Sequence, residues 1–151
     1  MTGVTLDAGG LIAFDRNERR VVILLARAIE TNSRVTIPAS ALAQAVRRPE
    51  RQARLSKLIR QPTSEVVALD RVDSVHVGRL LAVSRTADVV DAHVVICARR
   101  AGQRVVTSDP DMRRFVLVSC TLFYLPHLHA LTVLVQPVTH AEPGGAKSAE
   151  P

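Results

Sequence analysis

The chain has 151 residues, 47% of them hydrophobic, with 3% aromatics and no tryptophan. That length is short for two sizeable cores, so one domain is expected, its core filled by Val, Leu, Ile and Ala in the manner of a buried parallel sheet covered on both faces by helices. The net charge of +6 is carried almost wholly by arginine; it fits a polyanionic partner, although a genome rich in arginine codons gives the same excess.

In chain order, short β-rich runs alternate with helical patterns. A first strand covers Val4 to Leu6, and a helix from about Asn17 to Thr31 places Val21, Val22, Leu24, Leu25, Ala28 and Ile29 along one side. A second strand, Arg34 to Ile37, leads to Pro38, which opens a helix through Val46. A basic helix from Glu50 to Arg60 follows, then a third strand at Glu65 to Leu69. Asp70 reads as the N-cap of the next helix, and Gly102 as the C-cap of a helix running from Asp88 to Arg100. A fourth strand spans Gln103 to Ser108, a short helix Met112 to Phe115, and a last strand Leu131 to Val135. Residues 1–138 form the expected domain. The tail from about residue 139 to Pro151 has no apolar face and reads as disordered.

Cys97 and Cys120 are the only cysteines and form no CxxC pair, which points away from a disulfide framework or a zinc site and toward a reducing cytosol. The N-terminus shows no charged-then-apolar leader, so a cytoplasmic protein is expected. From Phe115 to Val138 no residue carries a formal charge, but Pro126, Gln136, Pro137, His127 and His129 interrupt the run, so no membrane span is expected there.

The acidic residues carry the functional information. Asp7 ends the run Val4-Thr5-Leu6 and Asp109 ends Arg104-Val105-Val106-Thr107-Ser108. Ligands of open parallel sheets bind beyond the carboxyl ends of the strands, so two strand-terminal aspartates are expected to be neighbours there. Asp88 and Asp91 stand three apart at the start of an apolar helix, one turn from each other. Asp91 lies among Val89, Val90, Val94 and Val95, a position for which aspartate has low intrinsic preference. Converging carboxylates are the hard oxygen donors that Mg2+ or Mn2+ requires.

Val4-Thr5-Leu6-Asp7-Ala8-Gly9-Gly10-Leu11-Ile12-Ala13 resembles the opening of a PIN domain. Thr86-Ala87-Asp88-Val89-Val90-Asp91-Ala92-His93, together with Val105-Val106-Thr107-Ser108-Asp109-Pro110-Asp111, resembles its later half. In order and spacing these look like VapC-type toxins, the ribonucleases of type II toxin–antitoxin modules, over roughly Val4 to Phe115. The uncharged 115–138 segment departs from that pattern.

The resemblance implies a PIN-like α/β fold, a mostly parallel sheet with helices on both faces, and a Mg2+- or Mn2+-dependent endoribonuclease acting on RNA such as a tRNA or rRNA loop. It implies Asp7, Asp91 and Asp109 as the catalytic carboxylates, all three holding the metal, and an antitoxin and a homodimer as partners. Gln44 stands where the family normally has a glutamate, and Asp88 is the candidate to compensate for the missing charge. Thr107, Ser108, Asp111 and His93 are accessory candidates, His93 as an acid, a base or an RNA contact. Arg47, Arg48, Arg51 and Arg54 are candidates for holding the RNA backbone, with helical faces around Leu24 and Leu80 for the dimer. The alternative from another class is a degenerate domain of this type that binds RNA or a protein without cleavage, for which Gln44 and the atypical stretch after Phe115 are the support.

Overall fold

The computed structural model describes residues 3–107, Met112 and the backbone of 131–134. Five strands form one sheet in the order β3-β2-β1-β4-β5. β1 (Val4–Leu6) lies between β2 (Val35–Pro38) and β4 (Arg104–Thr107), and β3 (Ser64–Val67) pairs with β2. These four strands are all parallel; β5 (Leu131–Leu134) adds antiparallel to β4, with Val105 opposite Val133. β1, β2 and the last three residues of β4 are buried throughout, which is why they read as continuous apolar runs instead of alternating ones.

The chain leaves β1 through α1 (Ala8–Asp15) and α2 (Arg19–Glu30), and β2 through α3 (Ala39–Ala45), a single 3-10 turn (Pro49–Arg51) and α4 (Ala53–Ile59). It returns from β3 through the hairpin of α5 (Arg71–Ser84) and α6 (Val89–Ala101). Right-handed crossovers put the outward connections from β1 to β3 on one face and the return to β4 on the other. The packing agrees: α1 rests on α2 and α4, while α5 packs on α6, which lies over β1, β2 and β4. The expected α/β architecture with a mostly parallel sheet is therefore present.

Several boundaries differ from the sequence reading, each for a local reason. The sequence reading assigned no helix to Ala8–Asp15, because Gly9 and Gly10 are poor helix formers. Tertiary packing overrides that cost: Gly10, Leu11 and Ala13 are buried, and a Cβ on Gly10 would stand 2.7 Å from the Val106 carbonyl oxygen. Only glycine lets α1 approach β4 this closely. The basic helix expected from Glu50 to Arg60 is broken at Gln52, whose backbone (φ −102°, ψ 50°) is not helical, so α4 starts at Ala53.

Asp70 caps α5 by accepting the Asp73 N–H, and Gly102 ends α6 in the left-handed region at φ 61°, both as expected. Leu80 is buried in the chain's own core and Leu24 is partly buried against that core. The exposed apolar side chains of α5 are Val72, Val75 and Val83. Of the 115–138 segment, only the backbone of β5 falls within the described residues. No helix among the described residues is long and apolar enough to cross a membrane.

Candidate functional site

β1 is where the chain's connections part, one toward β2 and the other arriving at β4, and the crevice beyond the carboxyl ends of such strands is where open α/β sheets bind ligands. Asp7 stands at that point. Its backbone is extended (φ −82°, ψ 179°) and it forms the N-cap of α1, Oδ1 accepting the Gly10 N–H at 2.6 Å. Its own N–H donates to the Val106 carbonyl of the neighbouring strand. The side chain is 3% exposed, so a carboxylate is held almost out of water at the amino end of a helix, whose dipole favours negative charge.

An open cleft of about 730 Å³ runs from Asp7 along α1 to α3. Asp7, Asp15 and Gln44 bring carboxylate and amide oxygens to it, and Arg16 and Arg47 bring positive charge. Its far wall is set by Gln52. The Gln52 Oε1 accepts the N–H groups of Arg47 and Arg48 at 2.9 and 3.0 Å, while Nε2 donates to Asp15 Oδ2 at 3.1 Å and to the Ala45 carbonyl at 3.2 Å. One side chain thus fixes the α3–α4 turn against the end of α1.

Gln44, singled out through the resemblance, lines the same cleft as Asp7. Asp15, which the sequence reading did not single out, lies there too. It closes the helix that Asp7 opens, two turns away, and without that helix in the sequence reading nothing points to it. Asp91 lies in the first turn of α6, partly buried. Because α6 precedes β4 and must run back against the strands, its first turn belongs to the same carboxyl edge as Asp7. Asp88 is the N-cap of α6, its Oδ1 accepting the Asp91 N–H at 2.9 Å. It is an exposed capping residue, and that role accounts for its place in the sequence. Thr107, fully buried, ends β4. Ser108, Asp109 and Asp111 lie outside the described residues.

Of the candidate RNA-contacting arginines, Arg47 lines the cleft, its guanidinium also donating to the Ala43 and Val46 carbonyls at 3.1 Å. Arg48 and Arg51 are exposed at the 3-10 turn. Arg54 lines a different, apolar depression with Phe14, Val22, Ile29 and Leu58, because the break at Gln52 turns α4 away.

His93 is not at the cleft surface. It is fully buried and its Nδ1 meets Ser40 Oγ at 2.7 Å, so it offers nothing to an RNA strand. It belongs instead to a cluster with Asp73 and Cys97, whose ligand-type atoms all lie within 4.8 Å of one another, each residue buried. Asp73 Oδ1 is paired with Arg100 Nη1 at 3.0 Å. Burial lowers the His93 pKa from its ordinary 6.5 against the opposing pull of Asp73, and burial pushes the Cys97 thiol up to about 12. Inspection of cysteine pairs could not reveal this group; the signal was the four-residue step from His93 to Cys97, which puts both on one helical face.

No known protein family and no curated protein matches this chain.

Proposed function

We propose that the protein is a Mg2+- or Mn2+-dependent endoribonuclease with a PIN-like fold, the toxin of a toxin–antitoxin pair. The observation that carries this reading is the carboxylate of Asp7, buried at the switch point of a parallel sheet and opening into a cleft that Asp15 and Gln44 share with Arg16 and Arg47. All the donors there are hard oxygens, and a divalent ion of this class keeps several waters, so two or three carboxylates suffice. Asp7 and Asp91 are the residues assigned to the ion, with Asp109 completing the set by sequence. A bound ion of this kind supplies a more acidic water and positive charge beside the scissile phosphate.

The chain's own residues do the rest. Asp7 is fixed by the Gly10 N–H and cannot rotate away without uncapping α1. Arg16 and Arg47 attract and position the phosphodiester backbone. Gln44 orients water or phosphate by hydrogen bonding without adding charge. The antitoxin and the homodimer rest on the sequence resemblance. The second reading, an RNA- or protein-binding domain without cleavage, is favoured by Gln44 alone, since a neutral amide leaves the cleft one carboxylate short.

The test is cleavage of labelled tRNA and rRNA-loop substrates with Mn2+ or Mg2+, alongside EDTA, Asp7→Asn and Asp91→Asn. Asparagine is as good an N-cap as aspartate, so Asp7→Asn keeps the helix start while removing the charge. Metal-dependent cutting lost in both variants supports the nuclease. Inert wild-type protein that still binds these RNAs favours the second reading.

A further inference from the structure

The cluster between α5 and α6 has unspent donor capacity. Among buried side-chain atoms, Asp73 Oδ2 and His93 Nε2 have no hydrogen-bond partner. The Ala68 carbonyl lies close enough to His93 to favour its protonated ring, yet Nε2 completes no bond of good geometry. Asp73 is 2% exposed, His93 0% and Cys97 1%, so bulk water does not reach them. A buried polar atom without a partner carries a penalty of about 1–3 kcal/mol, and two of them facing a cysteine sulfur in one cluster call for a common explanation.

From these atoms we propose that Asp73 Oδ2, His93 Nε2 and Cys97 Sγ form a binding site for a zinc-class divalent ion that clamps the α5–α6 hairpin, separate from the Asp7 cleft. The set of one oxygen, one nitrogen and one sulfur suits Zn2+ or Co2+ and not Mg2+, which takes oxygen ligands. Ligand atoms around a four-coordinate zinc stand roughly 3.5 Å apart, given bond lengths of about 2.0–2.3 Å. One ligand-type atom from each of the three residues lies within 4.8 Å of the others, a span that small side-chain rotations close. The surroundings are those of a supported site. Ser40 Oγ holds Nδ1 of His93, which leaves Nε2 for the ion, and Arg100 holds Oδ1 of Asp73, which leaves Oδ2. These three side chains would leave a fourth position to a ligand from outside the cluster. Coordination converts the Cys97 thiol to a thiolate and releases its proton to solvent. This site does not depend on the nuclease reading.

The experiment is titration of the metal-stripped full-length protein with Co2+, reading the near-ultraviolet thiolate-to-cobalt charge-transfer band, and with Zn2+, reading the melting temperature. One equivalent of Co2+ is expected to produce the band, and Zn2+ to raise the melting temperature. Cys120→Ser and Asp7→Asn should keep both effects; Cys97→Ala and His93→Gln should lose both, while the exposed His76→Ala changes nothing. Absence of a thiolate band in the wild type overturns the proposal, as does a band that survives Cys97→Ala. If Cys97→Ala does not fold, Cys120→Ser decides, because Cys97 is then the sole thiol: a band supports the site and its absence refutes it.

Discussion

Ser40 Oγ, in the first turn of α3, lies 2.7 Å from Nδ1 of His93 in α6. This contact ties the helix that follows β2 to the helix that precedes β4, across the carboxyl edge of the sheet. Gln44, one turn beyond Ser40 on the same short helix, faces the cleft with Asp7. α3 therefore joins the acidic cleft to the buried Asp73–His93–Cys97 cluster.

Ser40→Ala removes that partner and leaves Nδ1 as well as Nε2 unsatisfied inside the protein. A loss of about 1–3 kcal/mol of folding stability is expected, the usual penalty for one orphaned buried polar group. Urea denaturation of the variant beside wild type measures it, and a midpoint shift corresponding to under a few tenths of that range would mean the contact is dispensable.

The His93 ring carries a pH prediction with a definite sign. Burial lowers its pKa below the ordinary 6.5, so the fold favours the neutral ring. Above about pH 6.5 neither state binds the proton and the term is constant. As pH falls below 6.5 the unfolded chain takes up the proton first, so stability declines until the lowered folded value is passed. In metal-stripped protein, denaturant melts at pH 7.5, 6.5, 5.5 and 5.0 should show this decline, and His93→Gln should flatten it. Equal slopes in both proteins would show that His93 is not its source.

Gly10→Ala tests how the cleft is built. Its φ is ordinary, so the difficulty is purely steric: the new Cβ would meet the Val106 carbonyl oxygen at 2.7 Å and Asp7 Oδ1 at 3.3 Å. Backbone on one side and the capping carboxylate on the other cannot both yield. A destabilisation of about 1–3 kcal/mol is expected for this overpacking. Under the proposed function, RNA cleavage should fall as well, because Asp7 is displaced; a variant of wild-type stability would show that α1 moves freely from β4.

Gln44→Glu asks whether the cleft lacks a carboxylate. A further unit negative charge about 4 Å from a divalent ion contributes roughly 2 kcal/mol even with water-like screening, so Mn2+ affinity should rise on the order of tenfold or more. Isothermal titration of wild type and variant reads it directly. Unchanged affinity would mean that residue 44 does not reach the ion and that the neutral amide is no defect.

Most strands and helices and the place of Asp7 at a strand end are legible in the amino-acid order alone. These follow from local rules: continuous apolar runs for strands buried on both faces, Asp70 and Asp88 as caps with an oxygen three residues before the N–H they accept, and Gly102 as a left-handed stop. Only tertiary structure decided the rest. α1 forms despite two glycines because close packing on β4 outweighs helix propensity, and it carries Asp15 into the cleft. Gln52 breaks the basic helix because four hydrogen bonds, three to residues 45–48 and one to Asp15 at the end of α1, hold it better than one turn of helix would. Periodicity leaves Leu80 open between core and interface, and it is core; His93 is an accessory candidate by sequence, and it is buried with Asp73 and Cys97. Periodicity fixes which residues share a face of an element, but which faces are covered, and which distant side chains they meet, depends on packing between elements far apart in the chain.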